Sequence, residues 1–306
     1  MQDSTPEGAR HLDEMAVRRA LRRLAGQPSA PWLHQEVARR MAERLAIIKL
    51  KPERLVDWWA FTGAGAQVLA AAYPKAQRLE VEPSAALVKR SQQSHVQPWW
   101  SRWRGAVDQT TVVADADFEQ FLGKPAQLVW ANMMLHAAND PPGLFTRWQR
   151  ALGTDGFVMF SCLGPGTLRE LSALYRRLGW PAPTLNFVDM HDLGDMLVRA
   201  GFADPVMDQE VLTLSWADAP ALLAELKSLG GNLAPNRMQG LRTPRWKRRL
   251  EAELDSLKGA DGRLSLSFEV AYGHAFKAAP KAAMAPQTEV SLASMRELLR
   301  AAGKST

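Results

Sequence analysis

Four acidic, amide and imidazole side chains fall where short apolar runs end, and a fifth lies inside the first run. In "RLVDWWAFTGAGAQVLAAAYPKAQRLEVEP", Asp57 sits in the first run and Glu82 closes the second. Leu55 to Trp58 reads as a buried strand, Ala64 to Ala72 as a helix and Leu79 to Glu82 as another strand. That is the frame of a nucleotide-binding β-loop-α-β unit. Asp115 follows a third apolar run, "TTVVA", while Asn132 and His136 end and follow a fourth, "QLVWANM". Ligands of open α/β sheets gather at the carboxyl ends of the strands, so side chains at these run ends can meet around one molecule. Each has a plainer reading too: an acid at a strand end as a cap or solvated charge, a histidine as a satisfied loop group. No cluster with metal-ligand spacing occurs.

The elements that must position these groups follow from periodicity. Residues 1 to 50 read as helical. "HLDEMAVRRALRRLAG" sets Leu12, Met15, Ala16, Leu21 and Leu24 near helical spacing and stops at Gly26, and "WLHQEVARRMAERLAIIKL" repeats the signal through Leu33, Val37, Met41, Leu45 and Ile48. From 54 to about 162, apolar runs alternate with helices, which predicts a doubly wound, mostly parallel α/β sheet covered on both faces. Beyond it come helices in "GPGTLRELSALYRRLG", "DMHDLGDMLVRAGF", "ADAPALLAELKSLGG" and "TPRWKRRLEAELDSLKG", and alternating strands in "PVMDQEVLTLSW" and "RLSLSFEVAYGHAFKA". Three units are expected: a helical N-terminal cap over 1–50, an α/β domain over 51–277 and a flexible tail over 278–306.

Composition bounds the function without choosing it. A chain of 306 residues with 46% hydrophobic and 23% charged residues is an ordinary globular protein. One cysteine, Cys162, excludes an internal disulfide, and a polar N-terminus without a signal peptide points to the cytoplasm. No apolar run is long enough to span a membrane. The net charge of +6 favours an acidic partner, an acidic carrier protein or nucleic acid. Two basic segments could carry it. "RWKRRLEAEL" holds Arg245, Lys247, Arg248 and Arg249, with Glu251, Glu253 and Asp255 able to balance them. "HVQPWWSRWRG" interleaves tryptophans with Arg102 and Arg104, a stacking surface for nucleic acid or simply core packing.

The order of elements, with an acid ending the second strand, resembles class I S-adenosylmethionine-dependent methyltransferases. Three blocks, "LVWANMMLH" with "NDPPGLF", "FSCLGPGTLREL" and "FVDMHDLGDMLVRAGFADPVMDQEVLTLSW", most resemble the malonyl-acyl-carrier-protein O-methyltransferases of biotin synthesis. The resemblance spans about residues 10 to 232. It implies S-adenosylmethionine as cofactor, with Asp57 and Gly63 in the donor loop, Glu82 on the ribose hydroxyls and Asp115 on the adenine amino group. Asn132 and His136 would lie near the reactive methyl, Arg169 would orient the malonyl carboxylate, and an acidic acyl carrier protein would be the partner.

The donor loop departs from the family's Asp-x-Gly-x-Gly-x-Gly. Here it reads Asp57-Trp58-Trp59-Ala60-Phe61-Thr62-Gly63, with Trp59 and Phe61 in place of glycines that tolerate positive φ and close ligand approach. Either the two rings face the core or they occupy the methionine end of the donor pocket. Reading "GAGA" at 63–66 as a displaced loop would place it in the helix start, away from Asp57. Leu21 and Gln27 stand where the family's cap carries a Phe and a Tyr. Three functions follow: a carboxylate O-methyltransferase, a relative that has lost the donor and serves as a binding or regulatory module, and a nucleic-acid binder.

Overall fold

The computed structural model describes residues 12–95, 109–238, 240 and 242–279. The tryptophan-rich segment with Arg102 and Arg104, and nearly all of the predicted tail, lie outside them. Seven strands form one sheet in the order β3-β2-β1-β4-β5-β7-β6. These are β1 (Arg54–Trp58), β2 (Gln77–Glu82), β3 (Thr110–Ala114), β4 (Ala126–Ala131), β5 (Leu152–Leu163), β6 (Ala203–Trp216) and β7 (Leu264–Phe276). The first five are parallel; β7 runs antiparallel to both β5 and β6. The chain reverses between β1 and β2 on one side and β4 on the other, which opens the switch point where such sheets bind ligands.

Helices cover both faces, as the sequence predicts. On one face α2 (Trp32–Leu45), α4 (Gly65–Ala72), α8 (Arg169–Arg177), α10 (Ala219–Ser228) and α11 (Pro244–Asp255) pack on Leu55, Leu128, Trp130 and Phe157. On the other, α6 (Phe118–Leu122), α7 (Pro141–Ala151) and α9 (Met190–Arg199) pack on Val56, Trp58, Val129 and Phe160, joined by Leu21 of α1 (Glu14–Ala25) and Leu87 of α5 (Ala85–Ser94). The central strands β1 and β4 are buried almost end to end, so they read as apolar runs. Strand β6 alternates between half-buried and exposed residues, because it is the sheet's edge and one face meets water. An aromatic cluster of edge-on and tilted rings fills the second face: Trp58 lies 4.7 Å from Phe118 and 5.9 Å from Trp148, and Phe145 lies 5.3 Å from Phe160.

Two expectations need correction. Met15 is 55% exposed, and the buried stripe of α1 runs through Ala16, Ala20, Leu21 and Leu24 instead. The helix expected from Ala64 is two pieces. A short turn of helix, α3 (Ala60–Gly63), precedes α4, and Ala64 between them adopts the left-handed conformation at φ 54°. A residue in that conformation cannot continue a right-handed helix.

The antiparallel addition depends on one glycine. Phe160 pairs with Gly273 across β5 and β7, and its ring covers the glycine. A Cβ there would stand 2.4 Å from the Phe160 ring, which is fully buried. Gly273→Ala is therefore expected to destabilise the protein by about 1–3 kcal/mol, read as a lower midpoint in urea unfolding with an unchanged slope.

Candidate active site

At the carboxyl ends of β1 and β2, strand alternation brings three carboxylates to one side of the sheet. Asp57 and Glu80 are register partners, and Glu82 follows two residues on. All three are buried. Glu80 bonds the His95 ring at 2.8 Å through one oxygen and leaves the other without a partner. Glu82 Oε1 accepts the Phe61 N–H at 2.7 Å and the Ser91 hydroxyl at 2.6 Å, while its Oε2 has no partner. Asp57 has a partner on neither oxygen. Burial drives the Asp57 carboxyl well above its ordinary range, and the neighbouring Glu80 and Glu82 push it further, against a smaller pull from Arg78. Burial likewise raises Glu82 to about 7, opposed by the hydrogen bonds from Ser91 and Phe61. Carboxylates so placed call for donors or positive charge from elsewhere.

The loop above them answers the question its sequence poses. Trp59 adopts the left-handed conformation, φ 57° and ψ 49°, despite its bulk. The substitution has thus kept the backbone path a glycine would take, at a cost of about 1–2 kcal/mol. Its N–H is held by the Val81 carbonyl at 2.7 Å. The indole joins the buried cluster with Leu21 and Val81 and is 9% exposed. Phe61 packs at the edge of the same cluster beneath the Arg90 guanidinium, 5.2 Å from the ring centre. Arg90 also donates to the carbonyls of Gln27 and Pro28 and so ties α5 to the link between α1 and α2. The "GAGA" stretch is not remote from Asp57: a Cβ on Gly65 would lie 2.3 Å from Asp57 Oδ2, so the start of α4 presses directly on that carboxylate.

The other sequence candidates separate into three situations. Asn132, at the end of β4, is fully buried and every polar atom is committed. Its Nδ2 donates to the carbonyls of His34 at 2.8 Å and Gly63 at 2.6 Å, and its Oδ1 accepts the Ser161 hydroxyl at 2.6 Å. It acts as a brace between α2, the donor loop and β5, with no group left for a substrate. Gly63 is part of that brace, since a Cβ there would stand 3.2 Å from the Asn132 carbonyl. His136 is half-buried in a turn after β4; its Nδ1 faces the Leu163 N–H at 3.4 Å and its ring meets Phe187 edge-on at 6.1 Å. Asp115 pairs with Arg147 at 2.6 Å, and Arg147 also holds Glu119. Arg169 is 68% exposed, pairs with Glu170 at 3.1 Å and makes no polar contact with the others. Among the described residues no group of three or more His, Cys, Asp or Glu side chains is placed to hold a metal.

Sequence reasoning missed His34, Ser91 and Ser161. His34 is buried and held near pKa 4 by desolvation, so its ring is neutral, and its Nδ1 lies 2.8 Å from the Thr62 carbonyl. A carbonyl only accepts, so that nitrogen carries the proton. A histidine on the apolar stripe of α2 was the one available signal.

A parallel sheet with an antiparallel β7, covered on both faces and ending in acids at its switch point, defines the class I methyltransferase fold. A family profile described as a methyltransferase domain matches residues 32–204. The chain is 40% identical over 273 residues to the malonyl-[acyl-carrier protein] O-methyltransferase of Gallionella capsiferriformans (strain ES-2), covering 88% of this chain and 93% of that one. To the protein of the same name from Laribacter hongkongensis (strain HLHK9) it is 36% identical over 275 residues, covering 89% and 92%. Among solved structures it resembles the YcgJ protein of Bacillus, with a TM-score of 0.52, 12% identity and 79% and 99% of the two chains covered. A putative methyltransferase from Bacillus halodurans C-125 gives a TM-score of 0.52 and 15% identity over 78% and 99%. The chain belongs to the malonyl-[acyl-carrier protein] O-methyltransferase family.

Two measurements probe the site. Glu82 is raised in the folded state, so it binds a proton there that the unfolded chain has released, and its charge costs stability as pH rises from about 4.5 to about 7. Buried His34 acts oppositely and costs stability as pH falls from 6.5 toward 4, so the two offset each other in the native protein. Comparing Glu82→Gln with the native protein isolates the first: the variant's advantage should be near zero at acid pH and grow to roughly 3 kcal/mol above neutrality. Asn132→Asp places a carboxylate against two carbonyls and should lower stability by about 3 kcal/mol or more, seen in thermal unfolding without any substrate.

Proposed function

We propose that this protein transfers a methyl group from S-adenosylmethionine to the free carboxylate of a malonyl group carried on an acyl carrier protein, a step of biotin synthesis in the cytoplasm. The single observation that carries the donor assignment is the set of partnerless, buried carboxylate oxygens on Asp57 and Glu82 at the ends of β1 and β2. The residues fit this donor in what they leave unsatisfied: Glu82 Oε2 can accept a hydroxyl, and a cation bound nearby would draw the raised Asp57 and Glu82 carboxyls back toward their charged forms. The donor, when bound, supplies an electrophilic methyl on a positively charged sulfur. Glu82 and Asp57 would hold it, and the backbone of the Trp59–Gly63 loop would shape its seat. Ser91 and the Phe61 N–H fix one oxygen of Glu82 and so aim the other.

The acceptor side asks little chemistry of the chain. A malonyl carboxylate is already ionised at neutral pH, so no general base is required, and rate comes from alignment and from exclusion of water. Asn132 positions the loop against β4 and β5 and touches no reactant. His136, just past β4 and edge-on to Phe187, is the candidate to line the acceptor's path. Arg169 points to solvent and is left out. Asp115, fixed by Arg147, is the candidate for the adenine edge. Among the described residues no helix is long and apolar enough to cross a membrane.

Calorimetry with S-adenosylmethionine and mass spectrometry of a malonylated carrier test this reading. A saturable heat and a methyl ester on the malonyl group are expected, and Glu82→Gln should weaken donor binding about tenfold or more by loss of a charged hydrogen-bond acceptor. No heat and no ester at saturating donor would overturn it.

A further inference from the structure

The arginines of α11 are not balanced by the acids beside them. Each of those acids is taken by another cation: Glu251 by Lys247 at 3.4 Å, Glu253 by Arg177 of α8 at 2.9 Å and Asp255 by Lys258 at 3.0 Å. Arg176, Arg242, Arg245, Arg248 and Arg249 are exposed, and none of them forms an ion pair among the described residues. Within α11, Arg245, Arg248 and Arg249 are three and four residues apart and share a face, and Arg242 lies just before the Thr243 cap.

These arginines crown an aromatic wall. Trp180 stacks on Trp246 at 5.2 Å and receives the edge of Tyr175 at 5.2 Å. Arg249 lies 5.5 Å over the Trp180 ring and Arg242 4.7 Å over Trp246, so the guanidiniums are held in place by ring faces instead of by carboxylates. Below them a cleft of about 480 Å³ runs past Tyr175, Arg176 and Trp180 to Phe187. Phe187 is the residue whose ring meets His136 at the end of β4. An uncompensated cationic surface is thus continuous with a partly aromatic cleft that ends at Phe187, beside His136.

We infer that the face of α8 and α11 bearing Arg176, Arg242, Arg245, Arg248 and Arg249 is the docking surface for an acidic carrier protein, whose acyl arm lies along the cleft toward His136. This rests on the malonyl-carrier reading above for its occupant, and the charge arrangement supplies the reason. A protein surface rich in carboxylates finds five cations that need no competing acid displaced, and the partly aromatic cleft beside them offers an acyl arm a path toward Phe187. Complementary charge of this kind acts chiefly on encounter and weakens with salt.

The test separates docking from catalysis. Binding of the unacylated carrier, followed by calorimetry at about 0.15 M salt, requires no methyl transfer. Charge reversal in Arg245→Glu with Arg248→Glu alters exposed residues that make no hydrogen bond or ion pair with the described residues, and unchanged thermal unfolding confirms that the variant is intact. It should weaken carrier binding about tenfold or more and raise KM for the malonylated carrier similarly with kcat held. Methylation of a malonyl thioester of a small thiol should be unaffected. Carrier binding by the native protein without any methyl ester would support the docking surface while defeating the methyltransferase reading. Equal binding of the carrier by native and reversed proteins would overturn the docking surface, whatever the activity. So would a duplex nucleic acid that outcompetes the carrier on the native protein and is lost from the variant.

Discussion

The carboxamide of Asn132 holds the upper end of this fold together. Two carbonyls, from helix α2 and from the end of the donor loop, converge on its nitrogen, and a serine of β5 donates to its oxygen. An amide has two donors on one side and an acceptor on the other, so no residue of similar size except glutamine offers that set. In a dry interior each of these bonds is hard to forgo, because a carbonyl left alone loses its water without replacement. The position of α2 over the sheet, the path of Trp59 to Gly63 and the spacing of β4 from β5 are therefore set by one side chain.

Around that brace the molecule concentrates unfavourable arrangements. Trp59, Ala64, Met133 and Leu168 all take positive φ without being glycine, and they follow β1, β4 and β5 at their carboxyl ends. Asp57, Glu80 and Glu82 share the same region with too few donors. Strain and desolvated charge of this kind persist only where the surroundings enforce them, and they gather where ligands bind. The aromatic replacements in the loop did not relieve the strain; they packed their rings into the core and left the backbone where it was.

The frame was legible in the residues alone because it depends on periodicity. Buried parallel strands must be apolar runs, and capped amphipathic helices must show spacing and stops such as Asp189 and Gly201. The place of Glu82 was legible because it closes an apolar run, and that of Asp57 because it lies inside one. The bonds of Asn132 to two distant carbonyls were not, since nothing local reveals them. Nor was the exposure of Arg169, because a place at a helix start does not say which way the side chain points. The left-handed Trp59 could not be foreseen, as residue preference argues against it and only the surrounding packing imposes it. The closeness of Gly65 to Asp57 was hidden because the helix break falls on Ala64 itself, a strong helix former, and not on the glycine at either side of it.

The outermost strand, β6, carries a further consequence. It spans fourteen residues and bonds to β7 on one side, leaving a long row of amides and carbonyls at the sheet's rim, with Val206 and Val211 each 51% exposed. Such a rim invites lateral pairing with a second chain. Asp204, Asp208 and Glu210 are spaced along it, and Arg40 and Arg44 of α2 reach Glu210 and Asp208 from the inner side. Charge set along an edge strand works against such pairing, and here part of it is spent inward, so the same acids that mark the border also fasten α2 to the sheet.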